Sequence, residues 1–395
     1  MSKNKDETIM SDTPRKAATL VTHGGRHPKE FHGFINPPLV RASTVLFNDV
    51  DEMKGRRESR YAYGLMNTPT IEAFNEVWTE LEEAAGTVLV PSGLAAVTVA
   101  ILSALSAGEE ILVPDNVYGP TRRFCNQTLK RWGMRTSYYD PMDLEALKSA
   151  LDGGASAVFV EAPGSLTFEV PDIGATLELA KAAGAVTMID NTWATPLLYK
   201  PIAEGFDLSI QAGTKYVGGH ADVLIGSISA NERMWPKLSA THANLGIQAG
   251  PDEIYLAMRG LRTMKLRMDQ HEGQALEVAK WLANQPKVAR LLHPAMESCP
   301  GHENWKRYFG RSSGLFAFEL SGTEDDAATF LNALRLFGLG FSWGGFESLA
   351  TLAEFRETRS VTTWQAGPVI RLQIGLEAVE DQIADLEQAL AAIAA

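Results

Sequence analysis

The residue in this chain best placed for covalent chemistry is Lys215, in the run Ser209-Ile210-Gln211-Ala212-Gly213-Thr214-Lys215. Its small neighbours leave the amine sterically free. In a partly desolvated cleft such an amine loses its proton near neutral pH and condenses with an aldehyde to a Schiff base. Upstream, the apolar run Val186-Thr187-Met188-Ile189 stops at Asp190. A carboxylate there needs a cation, and one that stays ionised inside a fold can keep a ring nitrogen protonated. A third stretch, Val88-Leu89-Val90-Pro91-Ser92-Gly93-Leu94, reads as a strand passing into a helix. The free N–H groups at such a helix start can cradle a phosphate. Singly, each has a plainer reading: a solvated lysine, an aspartate capping a turn, and a Ser-Gly N-cap.

The elements that must position these residues follow from hydrophobic patterning. Short apolar runs at 87–90, 110–113, 135–139, 157–161, 186–189, 208–211 and 224–229 alternate with helical patterns at 93–105, 121–132, 144–151 and 173–183. The runs are nearly continuous rather than alternating, which is how strands buried on both faces read. Such a βα series predicts an α/β fold with a mostly parallel sheet. Gly93, Asp190 and Lys215 then fall at carboxyl ends of strands, where ligands bind in such sheets. Their joint occurrence in this order points to pyridoxal 5'-phosphate (PLP), which offers an aldehyde, a pyridine nitrogen and a phosphate. Beyond Pro251 a long helical pattern reaches about residue 283. Strand patterns at 288–292 and 315–320 follow, then helices at 327–336 and 377–393, so a smaller α+β domain is expected. We expect an N-terminal arm over 1–65, a large domain over 66–255 and a small domain over 256–395. The arm is polar and Pro-containing, with no core of its own.

Composition narrows the function classes. With 48 Asp and Glu against 36 Lys and Arg, the net charge is −12, which disfavours general binding to nucleic acid or anionic membranes. Cys125 and Cys299 are too far apart in sequence for a disulfide framework and lack zinc-site spacing; no metal site is expected. The N-terminal residues carry no apolar leader pattern. A cytoplasmic protein is the expectation.

The chain resembles the Cys/Met-metabolism family of PLP enzymes from Leu20 to its C-terminus. The resemblance rests on the stretches above together with Asn36-Pro37-Pro38, Arg41-Ala42-Ser43-Thr44, Glu161-Ala162-Pro163-Gly164-Ser165, Asp190-Asn191-Thr192-Trp193-Ala194, Arg259-Gly260-Leu261-Arg262-Thr263 and Arg371-Leu372-Gln373-Ile374-Gly375. It implies the PLP fold of type I, aspartate-aminotransferase-like, with Lys215 bonded to the cofactor and Asp190 on its pyridine nitrogen. By the same resemblance Tyr118 stacks on the ring, and Gly93, Leu94 and Thr214 hold the phosphate. Arg371 clamps the substrate carboxylate, Ser342 and Trp343 line the substrate site, and Tyr63 reaches in from a neighbouring subunit of a homotetramer. Phe341-Ser342-Trp343-Gly344-Gly345-Phe346 is similar to the β-lyases, which carry Trp after the Ser. The implied reaction is β-elimination of an amino-acid substrate, L-cystathionine, to homocysteine, pyruvate and ammonia. γ-Acting relatives are the alternative, and a catalytically inactive regulatory protein is a third reading. Two departures stand out. Leu65 and Met66 occupy the region where the family has an Arg after the active-site tyrosine, and Ala212 replaces a frequent Ser. Arg60 is the nearest cation available as a substitute.

Overall fold

A computed structural model describes residues 15–56, 59–355, 358–364 and 367–394; the first fourteen residues of the expected arm lie outside that set. Among the described residues, one sheet contains β1 (Gly86–Val90), β2 (Glu110–Pro114), β3 (Arg135–Tyr139), β4 (Ala157–Glu161), β5 (Val186–Asp190), β6 (Leu208–Gln211) and β7 (Gly226–Ala230). Their order is β1-β7-β6-β5-β4-β2-β3. All pairings are parallel except those of β7, which runs antiparallel to both β1 and β6. The reason lies in the connections. Most strands are followed by a helix that carries the chain back to the start of the sheet, as a parallel neighbour requires. Residues 212–225, between β6 and β7, contain no such helix, so the chain turns over and pairs back, with Gln211 opposite Ser227.

β1, β4 and β6 are buried almost end to end, because helices cover both faces. The helix Gly93–Ala104 packs Ala96, Val97, Val99, Ala100 and Ile101 into the core. It starts where Ser92 Oγ accepts the N–H of Ala95 at 3.1 Å. The 121–132 pattern forms the helix Gly119–Phe124, which opens into a π-helical turn over Cys125–Leu129. Both Cys125 and Cys299 are buried free thiols.

A second sheet holds β8 (Val288–Leu292), β9 (Leu315–Leu320), β10 (Gly338–Leu339), β11 (Leu349–Leu352) and β12 (Val369–Gln373), ordered β10-β11-β12-β9-β8. Only β10 and β11 pair in parallel. The 32-residue helix Pro251–Leu282 runs behind both sheets. Its Ile254, Leu261 and Met268 join one core with Tyr216 and Val217, while its Val278 and Leu282 join another with Phe316 and Phe318 of β9.

Candidate active site

β1 points the same way as β2 to β6, since β1 and β6 are each antiparallel to β7. The residues that end or follow β1, β2, β4, β5 and β6 therefore meet along one edge. They are Ser92 and Gly93, Tyr118, Glu161, Asp190, and the turn carrying Lys215. Asp190 lies in register with Glu161 on one side and Ile210 on the other. Its Oδ1 accepts the N–H of Thr192 at 3.0 Å, and the Thr192 hydroxyl accepts the N–H of Ala212 at 2.9 Å. One threonine thus links the aspartate to the lysine turn. Burial pushes the Asp190 carboxyl above its ordinary range, against the pull of Thr192 and Lys215. Burial and then the Asp190 charge push Glu161 up as well. Glu161 Oε2 accepts the Tyr118 N–H at 2.9 Å, fixing the main chain from which that tyrosine projects.

Gly93 is required by contact. A Cβ there would lie 2.5 Å from the Ala212 methyl, so the helix start is pressed against the lysine turn. Ser92 already serves the N–H of Ala95, and Gly93 and Leu94, in the first turn, have no intrahelical acceptor. The Thr214 hydroxyl accepts from Ile225 N at 3.1 Å and donates to Ile225 O at 3.2 Å. Ile225 O also accepts the Thr214 N–H, so the hydroxyl proton can rotate to an anion without orphaning that carbonyl.

Lys215 Nζ donates to Ser342 Oγ at 2.7 Å and lies 5.2 Å from the centre of the Trp343 ring. Burial first, and then the Arg371 charge, bring its pKa down from 10.5 to about 8 despite Asp190. Ser342 has φ of +76°, a left-handed conformation that costs about 1 kcal/mol or more for a residue with a Cβ. In that conformation its hydroxyl meets Lys215 and its carbonyl accepts Arg371 Nη2 at 2.9 Å. Arg371, on β12 between Thr351 and Ala317, has no carboxylate partner among the described residues. Its Nε is buried without an acceptor, and burial lowers its pKa to about 10. Trp343 packs edge-on against Tyr216, with ring centres 5.4 Å apart.

These features fit PLP by observation: a buried carboxylate that makes no ion pair among the described residues, a helix start that tolerates no side chain, and a buried amine with a lowered pKa. The family model described as Cys/Met metabolism PLP-dependent enzyme matches residues 18–391. The chain belongs to this family. PLP is its cofactor, and the fold expected from the resemblance, a mostly parallel sheet beside a smaller sheet domain, is the one observed. Among this family member's relatives, a protein from Rhizobium johnstonii described as a putative cystathionine β-lyase is 49% identical over 95% of this chain and 96% of its own. The Escherichia coli cystathionine β-lyase MetC is 38% identical over 96% of this chain and 99% of its own. A solved cystathionine γ-synthase from Xanthomonas oryzae pv. oryzae, in complex with cystathionine, superposes with a TM-score of 0.90 at 30% identity, covering 96% of this chain and 99% of that one.

Lys215, Asp190, Gly93, Leu94, Thr214, Tyr118, Ser342, Trp343 and Arg371 thus surround one edge of the large sheet. Tyr63 stands apart: it bridges to Thr44, is 48% exposed, and makes no hydrogen bond or ring contact with Lys215, Asp190 or Arg371 among the described residues. Arg60, offered as a phosphate cation, is committed elsewhere. Its guanidinium bonds Glu30 at 2.7 Å and Glu72 at 3.0 Å, because the arm and the helix Pro69–Glu82 each bring a carboxylate within its reach. Leu65 and Met66 are solvent-facing, 41% and 67% exposed. Glu161 is the site residue to which sequence reasoning assigned no role; the strand-end logic that selected Asp190 applies to it equally.

Proposed function

We propose that Arg371, Lys215 and Asp190 form the working core of a carbon–sulfur β-lyase that cleaves L-cystathionine to homocysteine, pyruvate and ammonia. The observation that carries this reading is the buried Arg371 guanidinium with an unused Nε beside a lysine of lowered pKa. A planar fork of donors without an anion suits a substrate α-carboxylate, which it can bind through two parallel hydrogen bonds. Bound at this edge, PLP supplies an electron sink for the charge that develops at the substrate Cα. Asp190 would keep a proton on its pyridine nitrogen. Gly93 and Leu94 N–H and the Thr214 hydroxyl would hold its phosphate, and Tyr118 would hold its ring. Lys215 Nζ takes the Cα proton and delivers a proton to the departing sulfur. Ser342 orients both cations, one through its hydroxyl and one through its carbonyl. Water then completes the stoichiometry, releasing pyruvate and ammonia.

The β-lyase relatives and Trp343 beside Lys215 support the β over the γ reaction, which needs a second deprotonation at Cβ. The test is product analysis with L-cystathionine. Pyruvate and homocysteine in equal amounts are expected. Formation of 2-oxobutyrate and cysteine, or scrambling at Cα with no thiol released, would refute this reading.

We further propose a homotetramer in which Tyr63 completes the site of a neighbouring subunit and accepts a proton from the incoming ammonium. Its support is the arm's exposed apolar surface, with Phe34 70% and Leu46 88% exposed. Mixing Tyr63→Phe with Lys215→Ala subunits should restore activity to hybrids, and confirmed hybrids without activity would place each site in one chain. No described helix is long and apolar enough to cross a membrane, and the acidic charge and buried free thiols support work in the cytoplasm.

A further inference from the structure

We propose that Arg267 is a positioning residue for Lys215: from the long helix behind the lysine turn, its buried guanidinium grips the main chain immediately after that lysine. The inference rests on the reading of Lys215 as the cofactor-holding residue, and it concerns a side chain that touches none of the cofactor-binding groups.

The turn after β6 is a single coil of backbone. Gly218 N bonds Gly213 O and Gly219 N bonds Lys215 O, both at 2.8 Å. The next two carbonyls, of Tyr216 and Val217, have no following helical N–H to accept, and a buried carbonyl without a donor is costly. Arg267 Nη2 supplies one, at 2.7 Å from Tyr216 O and more weakly, at 3.5 Å, to Val217 O. The same nitrogen bonds Gly260 O at 2.8 Å, and Nε donates to the Thr263 hydroxyl at 3.1 Å. The guanidinium therefore staples the lysine turn to the helix that carries it.

Two glycines make the approach close. A Cβ at Gly260 would fall 2.2 Å from Gly218 O, and one at Gly219, whose φ is +69°, would fall 2.0 Å from Arg267 Nη1. Arg267 is 5% exposed and has no carboxylate partner among the described residues, and its Nη1 has no acceptor. Burial lowers its pKa to about 10. A buried cation without an anion is a poor stabiliser, and a packed apolar side chain would usually serve stability better. What an apolar side chain cannot do is hold the carbonyl of Tyr216 in place.

That carbonyl belongs to a residue clamped from its other end too. The Tyr216 hydroxyl accepts the N–H of Gly314 at 2.9 Å, and its ring lies 5.4 Å from Trp343 and 5.6 Å from His271. Lys215 is thus fixed from behind by Arg267 through Tyr216, while its own amine faces Ser342, with Asp190 and Arg371 as the charged groups around it. Losing the rear anchor lets the amine drift from the desolvated position that suits proton transfer, and small displacements at a reacting group cost rate steeply.

The experiment compares wild type, Arg267→Met and Arg267→Lys. Each is confirmed as folded by circular dichroism, and each is studied cofactor-free and after adding PLP. In the cofactor-free proteins, reductive methylation at Lys215 is followed against pH by peptide mass mapping; in parallel, PLP recapture is timed by absorbance. In Arg267→Met the Lys215 midpoint should rise toward that of an ordinary lysine, so that labelling at pH 8 falls by about tenfold or more. Recapture should slow by a similar factor, with Arg267→Lys recovering part of both. Folded variants with wild-type labelling and recapture would overturn the proposal. Should Arg267→Met fail to fold, an unaltered profile in Arg267→Lys overturns it as well. Protection of Lys215 by bound PLP in wild type is the separate check: its absence would refute the role of Lys215, whatever Arg267 does.

Discussion

Replacing Arg371 by Leu should stabilise the cofactor-free protein while disabling it. The guanidinium sits in a low-dielectric pocket with one bond to Ser342 O at 2.9 Å and an unpartnered Nε. Its pKa falls from 12.5 to about 10. A cation whose folded pKa lies below its unfolded one is disfavoured by folding at every pH below about 10. At about 1.4 kcal/mol per unit, this amounts to roughly 3 kcal/mol at pH 7. Losing the bond to Ser342 O returns about 1 kcal/mol of that. The net expectation is a gain of about 2 kcal/mol, read as a higher urea midpoint at fixed protein concentration. Against substrate the sign reverses. Removing one partner of a buried charge pair typically costs about 2–5 kcal/mol, which is roughly 30-fold to several thousandfold in kcat/KM. Steady-state assays with L-cystathionine measure this second half. A variant that unfolds at lower urea than wild type, by about 1 kcal/mol or more, would mean that Arg371 is a structural anchor rather than a cation held in reserve for a carboxylate.

Lys215→Ala should lose the absorbance near 400 nm that borohydride removes from the wild-type holoenzyme, as expected when no amine is present to condense with the cofactor; a reducible band that persists would move the assignment to another lysine. Glu82, wholly buried with Ser209 Oγ donating to it at 3.0 Å, has its pKa raised by burial to about 8. The folded chain then holds a proton that the unfolded chain releases near pH 4.5, so stability falls as pH rises from 4.5 to 8, and Glu82→Gln should flatten that slope and gain a few kcal/mol by pH 8, about 1.4 per unit. Urea midpoints across that range check it, and equal slopes in the two proteins would show the carboxyl to be ionised throughout. Leu65→Arg should slow PLP dissociation, with a gain of about tenfold in affinity if one charge-assisted bond is made. Arg60→Ala should leave dissociation unchanged because Arg60 already serves Glu30 and Glu72; faster loss of PLP from that variant would restore it as the phosphate cation.

The candidate edge of the large sheet was legible because its residues sit at ends of continuous apolar runs. Val186 to Ile189 followed by Asp190, and Leu208 to Gln211 followed by the lysine turn, announce themselves by an abrupt change of polarity. The helix Pro69–Glu82 went unassigned although its signals were present: Thr68 as N-cap, Pro69 at the first position, and Phe74, Val77, Trp78 and Leu81 on one buried face. β10, β11 and β12 were not legible for a physical reason. β10 spans only two residues, too few for periodicity to show, β11 follows the glycine pair Gly344-Gly345, and β12 interrupts its apolar run with Arg371. Arg267 was hidden differently, since on a helix rich in Lys, Arg and Glu it reads as one more solvated cation until the turn packed against it is known. Ser342 meets Lys215 and Arg371 only through tertiary contact, so no local pattern could have joined the three.

On the reading proposed above, the large sheet furnishes Lys215, Asp190, Gly93 and Tyr118, while β12 and the loop leading to β11 furnish Arg371, Ser342 and Trp343. The bond from Lys215 to Ser342 joins two inheritances that can diverge at different rates. Mutations along 338–373 can retune which sulfur amino acid is accepted, and how it is held, without disturbing the groups that make a Cα proton labile. A lineage of such enzymes can therefore change substrate or reaction outcome while keeping its cofactor chemistry intact, and the close superposition with a cystathionine γ-synthase at only 30% identity is what that mode of descent would leave behind.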